Sequence, residues 1–332
     1  MKEIGLGINI IDEEENIKKL LFKYQENNVH YIFISLHNTK LTINDKDKII
    51  NIINYCHQYN IKIMADIGRR TKDFFTIEEL IKLNIYCLRI DYGYTDEEIK
   101  LLNQYSIVGI NASTKKIDDF IKYQGKNIIF THNYYPRKLT GLSYGYFKKQ
   151  NWTLKLLGYK VYAFTNSDLS SNLVTIEDNR NNDPIYNILK MFNDDIDVVF
   201  IAEEVSDKFL DTIKKINSGY IELKVNIMEK YKNYLNQIYH NRDDYSDCLI
   251  RIKESREYSG VGKIIEPDNL LNIKKGDICI SNYNSNNYSG ELSIFLQDYT
   301  NDGTYNVIGN IYQSNIKYLD LIKNNIGFLL KF

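Results

Sequence analysis

Carboxylates, carboxamides and hydroxyls recur in this chain at the ends of short apolar runs. They are Asp12-Glu13, Asp66, Asp91-Tyr92, Asn111-Ala112-Ser113, His132-Asn133, Asn166 with Asp168, and Glu203-Glu204. Side chains of these types exchange protons and hydrogen-bond hydroxyl-rich ligands. The densest stretch, Thr131-His132-Asn133-Tyr134-Tyr135-Pro136-Arg137-Lys138-Leu139-Thr140-Gly141-Leu142-Ser143, directly follows Asn127-Ile128-Ile129-Phe130. A buried strand that opens into an imidazole, a carboxamide, tyrosines and a guanidinium is the expected mouth of a binding site. Any one of these polar residues could be an ordinary helix cap, because βα turns favour Asp, Asn and Ser. Their recurrence is the signal.

The elements that must position them are eight β-branched runs: Ile4 to Ile10, Tyr31 to Leu36, Ile61 to Ile67, Cys87 to Tyr92, Ile107 to Ala112, Asn127 to His132, Lys160 to Thr165 and Asp197 to Ala202. Continuous apolar runs suit parallel strands buried on both faces. Between them lies helical periodicity, as in Ile17, Leu20, Leu21 and Tyr24, or Ile49, Ile52, Ile53 and Cys56; such amphipathic helices pack on a sheet. Eight strand-helix units predict an α/β fold, a (β/α)8 TIM barrel over residues 1–217, with its site at the C-terminal ends of the strands. From 218 to 332 the pattern becomes strand- and turn-rich: Tyr220 to Asn226, Asp247 to Ile252, Asp277 to Ser281, Gly290 to Leu296 and Tyr305 to Ile311, with a short helical turn at Leu319 to Ile322. This predicts a smaller β-rich domain.

Composition narrows the function classes. The 332 residues are 43% hydrophobic and 26% charged, with a formal charge of −1, which gives no electrostatic reason to expect nucleic acid or an anionic membrane as partner. Cys56, Cys87, Cys248 and Cys279 are widely spaced, without CxxC or Cys/His ligand spacing, so core thiols are expected and no metal or other cofactor. The N-terminus lacks the apolar core of a signal peptide and no run approaches a membrane span, so a cytoplasmic location is expected.

Particular residues go further. His132-Asn133-Tyr134-Tyr135-Pro136-Arg137 with Thr140-Gly141-Leu142-Ser143 resembles the signature of the MupG-type 6-phospho-N-acetylmuramidases. Leu88-Arg89-Ile90-Asp91-Tyr92-Gly93, Asn111-Ala112-Ser113-Thr114, and Thr175-Ile176-Glu177 with Arg180 are similar to further motifs of that family, in the same order. So are His240-Asn241-Arg242, Ile250-Arg251, Lys274-Lys275-Gly276-Asp277, Gly290-Glu291-Leu292 and Asp302-Gly303 with Asn306-Val307 and Gly309. The resemblance implies a TIM barrel followed by a cyclophilin-like domain. It also implies a glycosidase that splits N-acetylmuramic acid 6-phosphate from N-acetylglucosamine in peptidoglycan recycling.

That chemistry takes a carboxylic acid to protonate the leaving oxygen and a second carboxylate, unless the acetamido carbonyl of the substrate serves as nucleophile. With the resemblance, the expected catalytic acids are Asp91, Glu177 and Asp66. Glu177 or Asp91 would be the general acid, its pKa raised by burial beside Tyr92 or Tyr134. Glu13, Asn111, His132, Asn133 and Tyr135 are expected to hold the sugars, and Arg137, Arg180, Arg242 and Arg251 to take the phosphate. The plainer alternatives are a salt bridge from Asp91 to Arg89 or another barrel-rim base, and a first-turn helix acid at Glu177. Ile10-Ile11-Asp12-Glu13 replaces the family's Ile-Tyr-Pro-Glu, and the segment before Thr175 is short. A non-catalytic or altered-specificity phosphosugar-binding protein is therefore the alternative. A metal-dependent aldolase or deacetylase is opposed by the scatter of five histidines without a His-x-His pair.

Overall fold

The computed structural model describes residues 2–116, 118, 121, 123, 127–260, 264–323 and 325–332. They form two compact units, Met1–Asn217 and Ser218–Phe332. In the first, β1 (Glu3–Gly7), β2 (Tyr31–Ser35), β3 (Lys62–Ile67), β4 (Cys87–Ile90), β5 (Ile107–Asn111), β6 (Ile128–Thr131), β7 (Lys160–Phe164) and β8 (Val198–Ile201) close into an all-parallel barrel. Helices such as Glu14–Glu26, Lys46–Gln58 and Tyr144–Leu156 connect them. Lys46–Gln58 buries an apolar stripe of Ile49, Ile52, Ile53 and Cys56, whereas Tyr144–Leu156 buries Gln150 and Asn151 beside Phe147 and Leu154.

Side chains alternate along each strand, so every second residue points into the barrel. The interior is filled by Tyr31, Phe33, Met64, Cys87, Ile129, Tyr162, Phe164, Val198 and Phe200. Its aromatic rings meet at 5.1 Å between Phe33 and Phe164 and 5.6 Å between Phe164 and Phe200. So much ring volume leaves no room on β1. A Cβ on Gly5 would stand 2.5 Å from the Phe200 ring, and one on Gly7 2.7 Å from the Ala202 backbone. Gly109 on β5 is equally confined, with the Arg89 backbone 3.0 Å from where its Cβ would be.

Counting in twos along the inward columns also explains the rim. Met64 is followed by Asp66, and Cys87 by Arg89 and then Asp91. The register sets Ser35 opposite Asp66, Asp66 opposite Arg89, and Arg89 opposite Gly109. The apolar interior thus ends in a layer of charge.

The second unit is a seven-stranded sheet. It adds β9 (Tyr220–Ile227), β10 (Ile238–Tyr239), β11 (Leu249–Arg251), β12 (Asp277–Ser281), β13 (Leu292–Phe295), β14 (Tyr305–Ile311) and β15 (Gly327–Lys331), in the order β10-β15-β9-β14-β12-β13-β11. Strand β15 lies parallel to β9, while β10 pairs antiparallel with β15 and β14 antiparallel with β9. A helix occupies Gln313–Leu319, upstream of the expected turn at Leu319 to Ile322, and another Lys253–Tyr258. Among the described residues no helix is long and apolar enough to cross a membrane.

Gly7→Ala forces apart two hydrogen-bonded strands. It is expected to lower stability by about 1–3 kcal/mol, read as a lower urea midpoint; an unchanged midpoint would show that β1 and β8 separate freely.

Candidate active site

The charged layer is built around Asp66 and Arg89, each only 2% exposed. Placed opposite each other by the register, they form a buried ion pair between Asp66 Oδ1 and Arg89 Nη1. Burial opposes the charge on Arg89, and Asp66 outweighs it, so the guanidinium is held firmly protonated. The second arm of Arg89 donates to Asn133 Oδ1, just past β6. Its register partner on β5 is Gly109, where a Cβ would stand 3.0 Å from the Arg89 Cα and 3.1 Å from its Cβ.

The second oxygen of Asp66 binds His37 Nε2 at 3.1 Å, and Asp91 Oδ2 lies 3.8 Å from the same nitrogen. Asp91 immediately follows β4, its side chain 32% exposed. Tyr92 packs edge-on to the His37 ring at 6.0 Å. Tyr134 closes the floor, edge-on to Phe33 and Phe164. Burial, with the charge of Asp66 added, pushes its phenol up to about 12. Two carboxylates, an imidazole, a guanidinium and a carboxamide therefore meet at the C-terminal mouth of the barrel. Such a group can hold a proton beside a fixed negative charge.

His37 carries no motif and was not among the expected site residues. Its signal is the inward count from Phe33 through Ser35. Of the rim bases weighed for Asp91, Arg89 is taken by Asp66, with which it is in register, and it is His37 that stands near Asp91.

Glu177 and Arg180 make a different construction. The Glu177 carboxylate accepts the Leu139 amide at 2.8 Å, the Gly141 amide at 2.7 Å and Arg180 Nε at 2.8 Å. Burial works to raise its pKa, but Arg180 and the two amides outweigh it and hold the carboxyl below its usual range. This corrects the expectation of an acid with a raised pKa. Arg180 spends its remaining donors on the carbonyls of Ser171, Asn172, Tyr135 and Arg137. With every N–H engaged, it is not available to a phosphate as expected. Together they bracket the loops after β6 and β7, which also pair at Tyr135 with Val174 and Leu142 with Ile176. A Cβ on Gly141 would lie 2.8 Å from the Glu177 backbone nitrogen, so glycine is required there. Leu139 is 89% exposed at φ 65°, a left-handed conformation held from both sides by this bracket.

His132 does not face the mouth. It is fully buried against Phe147 of the helix Tyr144–Leu156, with ring centroids 4.7 Å apart, and burial pushes its pKa down to about 3. Inward direction belongs to its neighbours Thr131 and Asn133, one residue to either side. Asn111 turns its Oδ1 onto the Ser113 amide at 2.8 Å, leaving its NH2 group for a ligand. Tyr135 is half-buried and tied through its main chain. Glu13 is exposed at the start of the helix Glu14–Glu26. Arg137 is exposed with no side-chain partner among the described residues, and so is Arg69, just past β3, which sequence inspection passed over. Asp168 and Glu203 serve turns: Asp168 accepts from Ser206, and Glu203 from Ser170, Asn172 and Leu173. Arg242 and Arg251 belong to the second unit, where both bind Asp244. Among the described residues no three His, Cys, Asp or Glu side chains gather into a metal cage.

The hydrogen bond to Asp66 raises the His37 pKa above the usual imidazole value, against burial and Arg89. A pKa higher in the folded than in the unfolded chain gives stabilisation that is complete below about 6.5 and lost as pH rises through the folded value. Denaturation midpoints are therefore expected to fall with rising pH in wild type more than in His37→Gln. Parallel profiles would show that Asp66 holds no proton on the imidazole.

Comparison with known proteins places the chain. A conserved Enterococcus faecalis protein of unknown function superimposes with a TM-score of 0.73 at 24% identity, over 99% of this chain and 96% of that one. An uncharacterized B. cereus protein does so with a TM-score of 0.76 at 20% identity, over 100% of both. These likenesses show the fold. No curated protein matches. The model of the 6-phospho-N-acetylmuramidase N-terminal region matches residues 5–215, and that of the C-terminal region residues 220–331. The chain belongs to the 6-phospho-N-acetylmuramidase family.

Proposed function

We propose that this protein is a glycosidase that cleaves N-acetylmuramic acid 6-phosphate from N-acetylglucosamine during recycling of peptidoglycan fragments. The observation that carries this reading is the cluster of Asp66, Arg89, His37, Asp91 and Asn133 at the barrel mouth. A phosphorylated substrate suits the cytoplasm, where sugar phosphates are retained.

Asp91 is the partly open carboxyl of the cluster and shares the His37 Nε2 with Asp66. In this reading the His37–Asp91 pair supplies the proton to the leaving glycosidic oxygen. Asp66, joined to Arg89 through one oxygen and to His37 through the other, lies behind the anomeric carbon, where positive charge develops. The free NH2 groups of Asn133 and Asn111 and the hydroxyl of Tyr135 hold sugar hydroxyls or the acetamido group. Arg137 and Arg69, exposed at the rim, take the 6-phosphate. Glu177 and Arg180 hold the loop that carries Tyr135 and Arg137.

Release of reducing sugar from the phosphorylated disaccharide tests these roles. Asp91→Asn is expected to lower kcat by about 10²–10⁴-fold with little change in KM. Glu177→Gln is expected to raise KM and keep kcat within about tenfold. Full activity of Asp91→Asn would remove it as the acid, and tight binding without turnover in wild type would overturn the enzyme reading in favour of a phosphosugar-binding protein.

A further inference from the structure

The second unit contains a groove of about 370 Å³ that the barrel reading does not use. Its floor follows from strand register. Arg251 stands opposite Ser293, Ser293 opposite Cys279, and Ser281 opposite Tyr305. Alternation therefore puts Arg251, Ser293, Ser281 and Tyr305 on one face. Two residues along the same strands, that face carries the small core of Cys279, Phe295 and Val307. An apolar face thus turns polar at one end, where the groove lies.

Ser281 and Ser293 are each 3% exposed, and neither hydroxyl has a protein hydrogen bond among the described residues. Arg242 and Arg251 share one carboxylate, Asp244, each at 3.0 Å, which holds the two guanidinia side by side. Burial works to raise the Asp244 pKa, but the two arginines and its own backbone hold it down. Glu291, the acid that lines the groove, is paired with Arg256 at 2.7 Å. Two guanidinia against one carboxylate leave one positive charge uncompensated. The Arg251 Nε is buried without a partner.

We propose that this groove binds a phosphorylated monosaccharide. The phosphate joins the free edges of Arg242 and Arg251, as guanidinium pairs favour. Ring hydroxyls reach Ser281 and Ser293, and the ring face lies on Tyr305. The volume is at the small end for ligand pockets, roughly 300–1,000 Å³, and suits one sugar ring.

Calorimetric titration of the full chain with N-acetylglucosamine 6-phosphate tests the proposal. Arg251→Gln, Arg242→Gln and Ser293→Val are each expected to weaken binding by about tenfold or more. N-acetylglucosamine and inorganic phosphate are each expected to bind at least about tenfold more weakly. The proposal is overturned if wild type shows no saturable binding, if the groove variants bind like wild type, or if inorganic phosphate binds as tightly. Should Arg251→Gln unfold, Arg242→Gln, at the groove edge, decides. Disaccharide turnover is scored separately: turnover without binding of this ligand leaves the barrel reading standing, and binding without turnover leaves the groove.

Discussion

The barrel site depends on one buried ion pair. Asp66 and Arg89 sit at the top of an apolar interior, where a charge stripped of water is tolerated only with a partner. Leaving either alone costs about 3–5 kcal/mol, so neither side chain can turn away. Because the pair is fixed, so are the groups bonded to its outer edges. His37 is held by the second oxygen of Asp66, and Asn133 by the second arm of Arg89. Residues from the ends of β2, β3, β4 and β6 are thereby oriented by one interaction at the centre of the mouth.

The second acid–base pair in the barrel shows how similar side chains take a different task from their surroundings. Glu177 and Arg180 are joined to backbone amides and carbonyls, not to other ionisable groups. Their work is mechanical. They satisfy main-chain groups of two loops that have no sheet to pair with, and so keep those loops at the rim. Around Asp66 the partners are side chains that themselves carry charge and stand at the barrel mouth; around Glu177 the charge is spent on the chain itself.

Much of this was legible in the sequence. Eight apolar runs and the polar residues at their ends located the barrel and its mouth, because burial on both faces and turn chemistry leave local marks. What escaped depended on register or on acceptors that have no side chain. His37 stands alone after Leu36 and is recognisable only by counting in twos from Phe33. Arg89 looked like the partner of its near neighbour Asp91, but strand pairing gave it to Asp66. The spacing of Glu177 and Arg180 suggested an acid and a phosphate ligand, and the carbonyls of Ser171, Asn172, Tyr135 and Arg137 that occupy the arginine are invisible in composition. In the second unit β15 was missed because Ile326 to Leu330 reads as an apolar run without alternation, its place beside β9 being set by distant pairing.

The closeness of Arg89 to Gly109 carries a consequence for how this site can fail and change. Arg89 leaves β4 where the neighbouring strand offers an empty position. A methyl group there would keep every acid, base and amide of the site while pressing on the backbone and Cβ from which Arg89 springs. Searches for damage or divergence that look only at reactive side chains would find nothing altered. In this barrel an absent side chain is part of the wiring.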